Sequence, residues 1–157
     1  MLTYAYSLAA VDLTISGVLI RGFRKSDSIT INPRGAQIEV DTEGIDNPIA
    51  YPTLEKAFDV TINVSHVSPG HRDLATLLQN QLTILGIRPG TTFAVVGGIM
   101  PLMSFQLIDR ATGDTFVEEA AILAGYPESA YASTPGSRSY SIVLPSPVVT
   151  LGTTILG

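Results

Sequence analysis

Two histidines are the first residues to test for chemistry. His66 and His71 lie five positions apart, with Ser65, Ser68 and Asp73 beside them. Serine, histidine and aspartate are the parts of an acyl-transfer relay, and two imidazoles with a carboxylate are the parts of a metal site. The spacing supports neither. Ser68-Pro69 reads as a helix start, where the serine oxygen takes a free backbone N–H and proline fits the first helical position. No third ligand sits at a metal-binding interval, so the two rings read as solvated or capping groups at a turn. Glu118 and Glu119 are the other pair suited to acid–base work, but adjacent strand residues point to opposite faces and cannot share a substrate. Gly97-Gly98 lacks a following helix to cradle phosphate and reads as a bend between strands. No nucleophile elbow, Walker or dinucleotide fingerprint is present. The expectation is a protein with no catalytic residues, no metal and no cofactor.

The elements around the histidines explain their position. From Phe58 to Val64 every second residue is apolar, and Asp59, Thr61 and Asn63 alternate with them. That period of two predicts a strand with one apolar face. After Ser68-Pro69, Leu74, Leu77, Leu78, Leu82 and Leu85 recur at helical spacing, and Gly86 can end the helix. The chain is expected to hold this one helix, over residues 69–85.

Elsewhere the pattern is that of strands. Val11 to Ile20 reads as a hairpin turning at Ser16-Gly17. Ile29 and Ile31 alternate in one strand segment, and Ile38 and Val40 in another. Thr42 to Glu55 has no period and reads as a long loop, with Ile45, Ile49, Tyr51 and Leu54 either docking outward or tucking back. Phe93 to Val96, Leu102 to Ile108, Thr115 to Leu123 and Arg138 to Leu144 are further strands. Pro145 and Pro147 stop the last of them, and an uncharged tail follows. The fold class is therefore all-β with one α-helix, a barrel or sandwich in a single domain over residues 1–157.

Composition narrows the partners. Charged residues are 15% of the 157, against about 25% in ordinary soluble domains. So little charge implies that apolar surface is covered by other copies of the chain. The net charge is −5 and no run of Lys or Arg occurs, which argues against nucleic-acid binding. The absence of cysteine suits an intracellular origin, and the first ten residues lack the basic start of a signal peptide. Pro89 to Ile108 is uncharged and long enough to cross a bilayer. Its Thr91, Thr92, Gly97, Gly98, Pro101, Ser104 and Gln106 favour two strands instead, so no membrane insertion is expected.

The order of these landmarks resembles a phage tail tube protein of the contractile-tail kind. The resemblance rests on Leu13-Thr14-Ile15-Ser16-Gly17, Ile20-Arg21-Gly22-Phe23 and Ser28-Ile29-Thr30-Ile31. Asp41-Thr42-Glu43-Gly44 follows, opening the long loop, then the Phe58–Val64 strand with its helix. Gln106-Leu107-Ile108-Asp109, Pro127, Tyr131 and Gly136-Ser137-Arg138-Ser139-Tyr140 complete it. Where the family often carries a tryptophan before the final strand, this chain has Tyr140, another large ring.

The resemblance implies hexameric rings whose sheets continue from subunit to subunit, stacked into a tube that conducts the genome at ejection. It implies a place in the virion tail after assembly in the host cytoplasm. Sheath and baseplate or terminator proteins would be partners, and DNA would pass without specific binding. On this view Phe58, Val60, Ile62, Val64, Ile38, Val40, Met103, Phe105 and Leu107 face the helix. Gln37, Glu39, Asp41, Asp59, Thr61, Asn63, Ser104 and Gln106 line the lumen, unless they are merely outer residues of a sandwich. The long loop, through Ile45, Asp46, Asn47, Ile49, Tyr51 and Leu54, contacts the next ring, with the arm of residues 1–10 and the tail of residues 145–157 joining the stack. Leu74, Leu77, Leu78 and Leu82 are the core of the helix. The alternatives are a tube subunit of a related contractile injection device, whether secretion system or bacteriocin, and a monomeric β-sandwich module binding sugar or peptide.

Overall fold

Alternation of apolar and polar residues builds most of this molecule. The computed structural model describes residues 10–23, 27–41, 48–84, 103–129, 131, 133–134 and 136–152. In chain order the elements are β1 (Val11–Ile15), β2 (Val18–Ile20), β3 (Ser28–Pro33), β4 (Ile38–Asp41), β5 (Ile49–Pro52) and β6 (Phe58–Ser65). Then come α1 (Pro69–Ile84), β7 (Met103–Asp109), β8 (Thr115–Leu123), β9 (Ser137–Leu144) and β10 (Val148–Thr150). The fold is all-β with one helix among the described residues.

Strand order is β2-β1-β7-β8-β9-β6-β3, with β10 on β8, and β4 and β5 pair apart as a two-stranded ribbon. Every pairing is antiparallel. The β1–β2 turn is made by Ser16 and Gly17, both at positive φ (51° and 78°). That left-handed pair matches the twist of a tight hairpin, and glycine adopts it without strain.

One strand joins two sheets. β8 pairs with β7 from Thr115 to Ala121, and reaches β9 at Ile122 and Leu123. Within the β7 pairing, between Phe105–Glu118 and Met103–Ala121, one residue of β7, Ser104, opposes two of β8, Glu119 and Ala120. This bulge exchanges the buried face of the strand. Before it Glu118 points inward; after it Ala121 and Leu123 do. The bulge also explains why the sequence over Glu118-Glu119-Ala120-Ala121 does not declare a face.

The inward residues form one cluster. Leu13 and Ile15 from β1, Phe105 and Leu107 from β7, Val60, Ile62 and Val64 from β6, and Tyr140, Ile142 and Leu144 from β9 meet Leu74, Leu78 and Leu82 of the helix. Leu77 is partly buried against them. Ser68 caps the helix as its sequence implies, its Oγ accepting the His71 N–H at 3.2 Å. Gln81 is buried within the helix, donating to the Leu123 carbonyl at 2.9 Å and accepting the Leu123 N–H at 3.3 Å. It thus satisfies the backbone where β8 ends.

Three expectations change. Ile38 and Val40 are not core residues: they are 64% and 57% exposed on the β4–β5 ribbon. The segment from Thr42 to Glu55 is not wholly irregular, because Ile49–Pro52 is a strand paired with Ile38–Asp41. The tail begins as β10, paired with Thr115–Val117 of its own chain. The described helix runs Pro69–Ile84. Leu85, Gly86, Phe93 to Val96, and most of the 1–10 arm lie outside the described residues. No described helix is long and apolar enough to cross a membrane, and within Pro89 to Ile108 the described part, from Met103, is strand.

Leu78 sits at the centre of the cluster, 2% exposed. Leu78→Ala should lower unfolding stability by about 2–5 kcal/mol in denaturant titration. Leu78→Asp should abolish the cooperative transition altogether.

Candidate assembly surfaces

The histidines prove to be fasteners. His66 Nδ1 accepts the Gly136 N–H at 2.9 Å, and the His66 N–H donates to the Gly136 carbonyl at 3.1 Å. His71 Nδ1 lies 2.9 Å from the Tyr140 hydroxyl, deep in the cluster. Together they tie the strand-to-helix turn to the start of β9. Burial, then Arg138 and His66, hold His71 below its usual pKa. Burial likewise raises Tyr140. Arg138 is itself buried, with Tyr131 stacked 5.2 Å from its guanidinium carbon. Ser65 binds through its N–H to the buried Asp27 at 3.0 Å. Among the described residues no three His, Asp or Glu side chains gather to hold a metal, and every buried side-chain polar atom has a partner. Glu118 and Glu119 face opposite ways; Glu118 is buried and accepts the Ala120 N–H at 3.0 Å and the Ser146 N–H at 2.8 Å.

The β4–β5 ribbon is the conspicuous surface. Its register pairs Ile38 with Pro52, Glu39 with Tyr51, Val40 with Ala50 and Asp41 with Ile49. One face is thus Ile38, Val40, Ala50 and Pro52, without a polar side chain. The other holds Glu39, Asp41, Ile49 and Tyr51, with the Tyr51 hydroxyl donating to Glu39 at 2.9 Å. The Glu39 carboxylate raises the Tyr51 pKa by stabilising the phenol that bonds to it. All eight residues are exposed, and Leu54 beside them is 95% exposed. The ribbon is rooted by Arg34 N–H to the Ala57 carbonyl and Thr53 N–H to the Gln37 carbonyl, both 2.9 Å.

A second surface is the outer face of β3, β6 and β9. Its rows are Ser28–Asn63–Ser139, Thr30–Thr61–Ser141 and Asn32–Asp59–Val143. Asn63 bridges the first row, donating to Ser28 at 3.1 Å and accepting from the Ser139 hydroxyl. Asp59 is held by both Arg34 nitrogens, at 3.2 and 2.7 Å, and this pairing lowers its pKa.

The expected lumen residues are spread over β6, β7 and the ribbon. Asp59, Thr61 and Asn63 lie together on β6. Ser104 and Gln106 lie on the outer face of β7, from which β8 and β9 separate β6 in the strand order. Gln37 stands at the root of the ribbon, with Glu39 and Asp41 on it. The β6 face is not free of base, since Arg34 sits on it. Of the expected inter-ring residues, Ile49, Tyr51 and Leu54 are exposed on or beside the ribbon, and Ile45, Asp46 and Asn47 lie outside the described residues. Sequence reasoning missed Ile38 and Val40 as surface groups. Their one available signal was the pair of prolines, Pro48 and Pro52, bracketing a short partner strand, because proline inside a sheet marks an edge.

This architecture has parallels of known structure. A tube-terminating cap of the anti-feeding prophage matches over 97% of this chain and 95% of that one, with TM-score 0.54 and 12% identity. The sheath/tube terminator of an extracellular contractile injection system matches over 96% and 99%, at 0.52 and 12%. A chain of the native gene transfer agent virion matches over 95% and 100%, at 0.57 and 10%. The chain shares their fold. No protein-family model and no curated protein matches the sequence.

Because His71 is held below its unperturbed pKa of 6.5, the unfolded chain binds the proton first as pH falls. Its contribution to stability is complete above about pH 6.5 and declines as pH drops toward the folded value. Denaturant midpoints at pH 7.5 and 5.5 should therefore differ less for His71→Gln than for the unsubstituted chain.

Proposed function

We propose that the chain is a structural, non-catalytic subunit of a phage tail or contractile injection tube, assembling as hexameric rings. The observation that carries this reading is the ribbon of Ile38, Val40, Ala50 and Pro52, an apolar face left exposed among the described residues. An isolated two-stranded ribbon is at best marginally stable in water, and apolar faces of this kind mark protein contacts. The fold shared with tube-terminating components supports the same direction.

In this reading the ribbon contacts the next ring, together with Leu54 and with residues Ile45, Asp46 and Asn47. The face of β3, β6 and β9 lines the bore. It offers hydroxyls and amides, and its described carboxylate, Asp59, is matched by Arg34, so a passing polyanion meets little net charge and no cluster of bases. Sheath and baseplate or terminator proteins are the remaining partners, and the virion tail is the location. A second reading, a terminating ring that caps the tube once, draws support from the two terminators among the structural parallels.

Negative-stain microscopy of the purified chain separates these readings. Long tubes indicate the tube subunit, single rings indicate the cap, and a lone particle at high concentration overturns both. Deleting Asp46 to Tyr51 removes most of β5 but no strand of the larger sheet. The variant should keep its circular dichroism and its rings while losing long tubes. Tubes of normal length would show that the ribbon is not the stacking element.

A further inference from the structure

Both histidines of the chain stand at one corner, where β6, α1 and β9 meet. Imidazole is the side chain whose ordinary titration falls between about pH 5 and 8. Mild acid therefore acts on this corner first.

The geometry uses the rings in their neutral form. His66 Nδ1 takes the Gly136 N–H at 2.9 Å, and a backbone amide cannot reverse its role. A proton on that nitrogen ends the bond and turns it toward the Gly136 carbonyl, 3.2 Å away, which already takes the His66 backbone N–H. Either way the Gly136 N–H loses its acceptor. His71 Nδ1 meets the Tyr140 hydroxyl inside the cluster, and both Arg138 of β9 and His66 oppose a proton on it. The other polar groups around His71 are Tyr126, Ser129 and Tyr131 from the loop before β9 and Gln79 from its own helix. Asp73 on the helix has its carboxylate 3.9 Å from Arg72, and Glu128 is exposed on the loop. Neither lines the cavity beside His71. Asp27, just before β3, takes the Ser65 N–H next to His66.

The corner is also poised to open. A cavity of about 390 Å³ separates His71, Ala75 and Gln79 of the helix from Tyr126, Pro127 and Tyr131. Tyr126 and Tyr131 are exposed, so little burial holds them to the helix. Gly125, at φ +148° with open space about it, lets the backbone turn there at little cost.

We propose that His66 and His71 form an acid-sensitive latch, whose protonation parts Gly136, Tyr131 and Tyr126 from the start of α1 and opens a surface bearing both imidazoliums and Arg138. The larger sheet stays paired, because the β6–β9 register from Val64–Arg138 to Phe58–Leu144 contains no histidine. The latch does not depend on the ring-subunit reading.

Amide hydrogen exchange of the full chain, read residue by residue and corrected for intrinsic rates, tests this. Between pH 7.5 and about pH 5 the protection of the Gly136 and His66 amides should fall about tenfold or more, while Leu13, Val60 and Leu107 keep theirs. The fall should track protonation of the two rings, followed by their own carbon resonances. The double variant His66→Gln, His71→Gln keeps a side-chain acceptor at each position and takes no proton, so its Gly136 protection should be the same at both pH values. Unchanged protection at Gly136 in the unsubstituted chain overturns the latch. So does a simultaneous loss at Leu13, Val60 and Leu107, which is global acid unfolding. A fall that departs from the ring titrations, or that persists in the double variant, assigns the response to carboxylates and overturns it as well. If the double variant does not fold, the ring titrations of the unsubstituted chain decide alone.

Discussion

The rest of the structure depends on the bulge in β8. A strand has two faces and one register, so it can serve a single interior unless a residue drops out of pairing. Here the extra residue between Glu118 and Ala121 lets Phe116 and Glu118 face inward first, and Ala121 and Leu123 afterwards. Glu118 turns inward at that point and holds both the Ala120 N–H within the bulge and the Ser146 N–H in the turn before β10. A buried carboxylate is costly unless its oxygens are occupied, and both of these are. The two sheets, the turn between β9 and β10, and the core that the helix covers are all indexed to this one irregularity.

Much of the fold is legible because local rules and packing agree. Ser68-Pro69 starts the helix, Ser16-Gly17 turns the first hairpin, and β6 and β9 bury the residues that their alternation assigns. The candidate surface is less legible for a specific reason. Alternation says which face of a strand is apolar, not whether anything covers that face. Ile38 and Val40 have the same pattern as Val60 and Ile62, yet they are exposed. Their partner strand hides behind Pro48 and Pro52, whose local preferences suggest a loop. The Gln81 clasp on Leu123 and the pairing of Arg34 with Asp59 join residues 42 and 25 positions apart, and nothing in the sequence pairs them. The lumen set was selected by parity along each strand, and parity is a property of one strand. It does not reveal that β8 and β9 stand between β6 and β7.

The histidines illustrate how residue type misleads when geometry is absent. A serine–histidine–aspartate neighbourhood is present in sequence, but its serines and histidines are engaged in local contacts, and Asp73 lies on α1 with its carboxylate 3.9 Å from Arg72. Ser68 caps the helix, His66 clasps Gly136, His71 meets Tyr140, and Ser65 is bound to Asp27 through its backbone. The same groups that would have made chemistry instead fix the start of β9 to the start of α1. Tyr131 over Arg138 closes the same corner from the loop side.

The bare ribbon has a kinetic consequence. With all eight of its residues exposed, β4–β5 belongs to the part of the molecule that opens locally at little cost in free energy. A surface that must be ordered as it is joined associates more slowly than a preformed one. The first few copies to meet would each meet that ordering cost with few neighbours to offset it, whereas a growing end presents a ready template. On the proposed assembly, joining through the ribbon would therefore begin with a lag and then run quickly, and a pool of free subunits would persist until an initiating surface is present.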